Sequence, residues 1–264
     1  MPASLAAAAA GTTRCSMALH SAFGDPKIAI GKTEVPLEID LTTHMAYALN
    51  QSFVWNLGMM QFLAPGKHVG SQLIPFDGFK SERIPLVYVH GTFSCPVTWA
   101  ELNNVLTADP VLRQRYQVWS FVYGSGNALP ISAGELRDAL AATVQKLDPQ
   151  GTNALLRQMV VIGHSQGGLL TKLTATATGD RMWRAVSEKP LEEFPVPEDQ
   201  RARLRRLLFL EPLPFISRVV FISTPHHGSY LASSLARRLA AKLMSLPSAT
   251  MSVAKSAQKL LRLA

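Results

Sequence analysis

Four short apolar runs, at residues 86–89, 118–123, 159–162 and 219–222, limit the folds open to this chain more than any other feature. Each is rich in β-branched, leucine or aromatic residues and lacks the alternation of a strand with one wet face, so each reads as a strand buried on both sides. Helical patterns separate them. The first helix is expected to open at Thr98 and Glu101 and the second at Ser132 and Glu135, where a hydroxyl would take one orphan N–H and a carboxylate another. Leu136, Leu140, Val144 and Leu147 then share one face, and Asp148 with Pro149 ends the run. A third helix is expected from Ser165, turning Leu169, Leu170 and Leu173 inward. Strands alternating with helices of this length form a mostly parallel sheet with helices on both faces, an α/β fold.

Residues 179–217 interrupt this rhythm. The stretch is far longer than an ordinary connection, holds prolines at 190, 195, 197, 212 and 214, and carries the basic cluster 201–206. It reads as an insert with a short helix inside irregular chain, either a lid or substrate wall or a surface decoration. Upstream, residues 1–36 read as a flexible tail and 37–80 as an amphipathic helical extension, leaving 81–264 as the core. Residues 41–66 contain no Asp, Glu, Lys or Arg, yet His44, Asn50, Gln51, Asn56 and Gln61 interrupt them, so the stretch falls short of a spanning helix. Met45, Leu49, Phe53, Leu57, Met60 and Leu63 instead trace one helical face, suited to docking on the domain or lying in a bilayer interface.

Charge is unevenly placed. The net charge is +8, but the last 64 residues carry eleven Lys or Arg against Glu211 alone, so the preceding chain is net acidic. This basic quarter lacks the interleaved aromatics of a nucleic-acid binder, and nucleic acid is not an expected partner. A solvated helix face or an anionic membrane surface accounts for it. No clear signal peptide or transmembrane helix is legible, which leaves the compartment unassigned apart from a peripheral membrane association. Cys15 and Cys95 are too few for a disulfide framework, and with His90 they lack metal-ligand spacing; no metal or other cofactor is expected.

The chemistry concentrates after the third strand, where Gly163, His164, Ser165, Gln166 and Gly167 satisfy G-x-S-x-G between a buried strand and an apolar helix. A sharp turn there would hold the Ser165 hydroxyl in a strained, exposed position, and Gly163 and Gly167 lack the β-carbons that would collide. A tetrahedral intermediate needs two donors at its oxygen. The N–H of Gln166 supplies one. His90 and Gly91 end the first strand, and Gly91 lets the loop turn back so that the Thr92 N–H supplies the other. His90 itself is expected to be satisfied by backbone.

On these residues the chain resembles the α/β-hydrolase superfamily, and more closely the bacterial lipase and esterase-like branch related to GPI inositol-deacylases. The resemblance runs from about residue 37 to 230. It rests on residues 85–91, on 116–123 with Gly124, Ser125, Gly126 and Asn127, on the Ser165 motif, and on residues 223–229. It implies hydrolysis of esters or related acyl compounds by a Ser, acid and His triad without metal, with Ser165 as nucleophile and Thr92 and Gln166 as oxyanion donors; the expected function is a serine hydrolase of carboxylic esters, and the uncharged stretch 41–66 points to lipid esters. The family places its acid and histidine on later strands, whereas no Asp, Glu or His follows His227. The expectation is therefore a C-terminally truncated hydrolase. Ser165, Glu211 and His226 or His227 could formally complete a triad, while His226 and His227 otherwise line the site floor or satisfy backbone. The contrasting expectation is a catalytically silent remnant that binds a membrane or a partner.

Overall fold

The computed structural model describes residues 9–11, 20, 27–37, 60 and 70–228. The amphipathic face from Met45 to Leu63 lies outside the described residues, except for Met60, as does the chain after Gly228. The chain divides into two units, Met1–Tyr47 and Ala48–Ala264. The first holds an antiparallel hairpin, β1 (Lys27–Ile30) and β2 (Thr33–Pro36), paired from Lys27 opposite Pro36 to Ile30 opposite Thr33. Its two-residue loop begins at Gly31 with φ +64°, the left-handed conformation a type II′ turn requires there. The stretch expected to be a flexible tail thus carries a regular element.

The second unit is built on a five-stranded sheet in the order β3-β5-β4-β6-β7. Its strands are β3 (Gln72–Pro75), β4 (Ile84–Val89), β5 (Tyr116–Val122), β6 (Met159–His164) and β7 (Ile216–Ile222). β4 to β7 are parallel; β3 adds an antiparallel edge, running from Gln72 opposite Val122 to Pro75 opposite Trp119. The sheet therefore begins inside the segment read as a helical extension.

Within the described stretch 70–228 the α-helices are α1 (Ala100–Ala108), α2 (Pro110–Arg115), α3 (Leu129–Leu147), α4 (Gln166–Lys172), α5 (Arg181–Arg184) and α6 (Glu198–Leu208). On one face of the sheet Val87, Val89, Trp119, Phe121, Met159 and Val161 meet Leu136 and Leu140 of α3 and Leu170 of α4. On the other face Leu86, Tyr88 and Val160 meet Trp99 and Leu102 at the start of α1. Each fully buried leucine here contributes about 1.5–3 kcal/mol. The chain runs from β4 to β5 in one direction and from β5 back across β4 to β6 in the other. Right-handed crossovers in opposite directions must use opposite faces, which is why α1 and α3 sandwich the sheet.

Two helix starts differ from expectation. Thr98 caps nothing: Pro96 opens a 3-10 turn, Pro96–Trp99, and the Thr98 hydroxyl donates back to the Cys95 carbonyl at 2.9 Å. Ser132 lies buried within α3, because Pro130 in the first turn starts the helix at Leu129, a turn earlier than the hydroxyl suggested. Glu135 instead accepts from the Ser71 hydroxyl at 2.7 Å. β7 also departs from a strand buried on both faces, since Val220, Phe221 and Ile222 are all exposed.

The insert has a small core of its own, Trp183, Leu191, Phe194 and Leu208. α6 leans on α3, where Leu207 sits so close to Gly134 that a β-carbon would lie 2.8 Å from it, and Arg206 pairs with Asp138. Most of the insert, residues 179–209, closes on itself at Thr178. The Thr178 backbone N–H donates to the Leu210 carbonyl (2.9 Å), its hydroxyl donates to Leu208 O (2.8 Å), and the same oxygen accepts from Leu210 N–H (2.8 Å).

Candidate functional site

Adjacent strands β4 and β6 send their following segments to opposite faces of the sheet, β4 to α1 and β6 to α4. A crevice opens at the carboxyl ends of strands where the winding diverges in this way, and ligands of open α/β sheets bind there. Ser165 stands at that point, directly after β6 and directly before α4.

Its backbone is held at φ +51° and ψ −120°, a conformation that costs a residue with a β-carbon on the order of 1–3 kcal/mol. The turn persists because its surroundings fix it. Ser165 N–H donates to Ile222 O of β7 at 2.9 Å, and Ser165 O accepts from Gly168 N–H at 3.1 Å. Glycines permit the tight approach. A β-carbon on Gly163 would strike Thr171, Gly167 and Gly168, and one on Gly167 would fall onto the carbonyls of Val89 and His90. One on Gly168 would run into Thr224, whose buried hydroxyl has no partner. A serine before a helix ordinarily spends its hydroxyl on the exposed N–H groups of the first turn. Ser165 makes no such cap, so its hydroxyl is not consumed by its own helix.

The loop after β4 passes against this turn. A β-carbon on Gly91 would stand 3.0 Å from Ser165 Cβ and 3.1 Å from His164 Nδ1, a tight fit that would press the neighbours back by a few tenths of an ångström. Thr92 and Phe93 follow, the latter at φ +58°. Together with Ser165 and Ser223 (φ +48°), Phe93 completes the set of non-glycine residues with positive φ among the described residues. All three follow the carboxyl ends of parallel strands, so backbone strain is confined to one end of the sheet. His164 is exposed beside Ser165, with its ring edge-on to Trp99 at 6.4 Å.

His90 lies beneath this loop, only 1% exposed and stacked on Tyr123 at 4.4 Å. Its Nδ1 is 3.0 Å from the Gly91 carbonyl, which can only accept, so Nδ1 carries the proton. Nε2 is then a buried lone pair without a partner. Burial holds the imidazole neutral, pushing its pKa down to about 4 against a smaller opposing effect of the Gly91 bond. The Tyr123 hydroxyl, its pKa raised by burial, donates to His90 O at 2.8 Å. This imidazole and phenol are supports for the loop.

The remaining sequence candidates separate. His226 and His227 are exposed after β7, at the same end of the sheet as Ser165; the His226 ring is 4.7 Å from Phe221, edge to face, and Phe221 is paired with Gly163. Glu211 sits elsewhere. Its carbonyl accepts from Arg137 at 2.7 Å, and the same guanidinium donates to Leu173 O at the far end of α4. One residue outside the sequence candidates belongs here, Ser125 in the loop after β5, which is 3% exposed. It accepts from Phe93 N–H through its hydroxyl at 3.3 Å and from Gln166 Nε2 through its carbonyl at 3.1 Å. In the sequence it stood out only as part of the Gly124, Ser125, Gly126 and Asn127 stretch that contributes to the family resemblance.

Among the described residues no cluster of His, Cys, Asp or Glu is placed to hold a metal ion, and no helix is long and apolar enough to cross a membrane. What the site presents is a strained, uncapped serine hydroxyl beside the first N–H of a helix and a returning loop.

The profile of the Alpha/beta hydrolase family matches residues 86–260, well over half of the chain. No curated protein matches. Among solved structures, a lipase of Bacillus licheniformis in its mature form is similar at 17% identity and TM-score 0.35, over 63% of this chain and 51% of that one. Its propeptide form gives 17% identity and TM-score 0.35, over 62% of this chain and 27% of that one. The chain thus spans about half or less of these lipase chains. An esterase of Thermogutta terrifontis with butyrate bound is similar at 14% identity and TM-score 0.32, over 68% of this chain and 90% of that one.

Proposed function

Because the chain belongs to the alpha/beta hydrolase family, we propose that it hydrolyses carboxylic esters, lipid esters among them, with Ser165 as the nucleophile. The observation that carries this reading is the Ser165 turn: a non-glycine residue at φ +51° in the helix-start position whose hydroxyl caps nothing. A serine at a helix start ordinarily takes the extended conformation and spends its hydroxyl on capping the first turn. A nucleophile elbow has the opposite need, an Oγ presented above the sheet with its lone pairs uncommitted.

In this reading Ser165 Oγ attacks the ester carbonyl, and the carbonyl oxygen becomes an oxyanion facing the N–H groups of Thr92 and Gln166. Gln166 is the first residue of α4, so its N–H has no intrahelical acceptor and lies at the positive end of the helix. Collapse of the intermediate expels the alcohol with a proton and leaves an acyl-serine, which water then hydrolyses. The proton leaving Ser165 needs an imidazole acceptor. Of the residues the sequence offered as acid or base, His226 and His227 stand at this end of the sheet, whereas Glu211 is held by Arg137 at the other end of α4. His90, buried and neutral, and tied to the Gly91 carbonyl, supports the oxyanion loop. The finer likeness to GPI inositol-deacylases rests on the sequence motifs, and attraction to an anionic membrane surface rests on the basic C-terminal quarter.

A fluorophosphonate probe followed by peptide mapping tests the assignment. Labelling at Ser165, with p-nitrophenyl butyrate turnover that disappears in Ser165→Ala, is the expected result. Labelling at another residue overturns the nucleophile, and absence of both labelling and turnover leaves the silent remnant. His226→Gln and His227→Gln then separate the two imidazoles, since only the proton acceptor should lose turnover by orders of magnitude.

A further inference from the structure

The Gln166 side chain is a bridge between three loops. Its Nε2 donates to Ser125 O after β5 at 3.1 Å, and its Oε1 accepts from the Thr92 hydroxyl after β4 at 2.6 Å. The direction of both bonds is forced. The Ser125 carbonyl can only accept, so the amide nitrogen must face it; the amide oxygen then faces Thr92, whose hydroxyl must donate. Ser125 closes the circuit by accepting from Phe93 N–H through its own hydroxyl at 3.3 Å. The two residues held from the β4 side are therefore Thr92, an oxyanion donor in the reading above, and Phe93, at φ +58°.

We propose that the Gln166 side chain is a positioning residue that sets the Thr92 N–H relative to Ser165 by clasping the loops after β4, β5 and β6. The proposal rests on the hydrolase reading. Gln166 thus acts twice, its backbone N–H on the oxyanion and its amide on the other donor, so one residue fixes the spacing between both donors and the nucleophile beside it. Thr92 lies on an exposed loop, and Gly91, which brings it against Ser165, offers no side chain to hold it there. A displacement of about 1 Å in such a donor suffices to lose up to about a hundredfold in rate.

The test compares Gln166→Met, which keeps side-chain length and the backbone N–H but removes both bonds, with Thr92→Val, which removes only the hydroxyl. Each is expected to lower kcat on p-nitrophenyl butyrate about ten- to a hundredfold while KM stays within about threefold, because the lost interaction matters only when the oxyanion forms. The double variant should lose little beyond the worse single one, since both remove the same bond. Thr92→Ser, which restores the hydroxyl, should recover most of the rate. Losses that multiply, a loss carried by KM, or variants as fast as the unaltered chain overturn the clasp. An unaltered chain that neither turns over ester nor is labelled at Ser165 overturns the hydrolase reading and the clasp with it, so the two failures are distinguishable.

Discussion

Replacing Ser165 by glycine should make the protein more stable while removing the hydroxyl proposed as the nucleophile. At φ +51° and ψ −120° the Ser165 β-carbon crowds its own backbone, a strain of about 1–3 kcal/mol that glycine does not incur. Glycine also loosens the unfolded chain, which offsets about 0.4–1 kcal/mol of that relief. The Ile222 and Gly168 hydrogen bonds are made by the backbone of residue 165 and survive the exchange. The net gain is about 1 kcal/mol, worth about 2–4 °C in a chain of this length. Ser165→Ala is the control, because alanine keeps the β-carbon and the lost hydroxyl capped nothing; its stability should stay within about 0.5 kcal/mol of the starting protein. Urea denaturation of the three proteins, followed by tryptophan fluorescence, reads both differences. A glycine variant no more stable than the alanine variant would refute the claim that this turn stores strain.

Stability should also fall in acid through His90, whose folded pKa of about 4 lies below the ordinary 6.5. The unfolded chain binds the extra proton between those values, so stability declines as pH drops from 6.5 towards 4, by up to roughly 3 kcal/mol, and His90→Asn should flatten the slope of urea midpoints over that range. Equal slopes would show that His90 is not the group responsible. Gln117→Leu should cost about 2–4 kcal/mol, because the buried Gln117 amide accepts from Lys80 N–H at 2.9 Å and donates to the carbonyls of Lys80 and Arg83 at 2.7 Å each. A loss below about 1 kcal/mol in the same assay would mean that water replaces it. Gly167→Ala should cost about 1–3 kcal/mol or more by driving a methyl into the carbonyls of Val89 and His90, and an unchanged melting curve would contradict that contact. Flotation with anionic vesicles should weaken as salt rises, since exposed charges are screened beyond roughly 8 Å at physiological ionic strength; equal recovery with neutral vesicles would remove the electrostatic contribution.

The strands β4, β5 and β6 were legible because burial on both faces leaves continuous apolar runs, and the Ser165 turn because glycines must stand where backbones nearly touch. The edge strand β3 left no such trace: it is four residues long, largely exposed, and recognisable only by its pairing with β5. The capping signals at Thr98 and Ser132 misled for one reason. Pro96 and Pro130 can each open a helical turn from its first positions, and the chain took that earlier start. The clasp at Gln166 was hidden because its partners Thr92 and Ser125 are 74 and 41 residues distant, and only the winding of the sheet brings them together. Glu211 failed to join Ser165 for the same topological reason, since it enters the fold at the end of α4 that Ser165 does not occupy.

The hydrogen bonds between Thr178 and Leu210 give the insert the properties of a cassette. Chain enters and leaves it at one point, so its removal would leave two ends already in register, and a turn of a few residues could rejoin them. Its small core around Trp183 would depart with it, while its seat on α3 at Gly134 would be laid bare. Shortening or exchanging residues 179–209 would therefore act first on their seat along α3, at Gly134 and Asp138, and not on the strand-to-helix turn that carries Ser165.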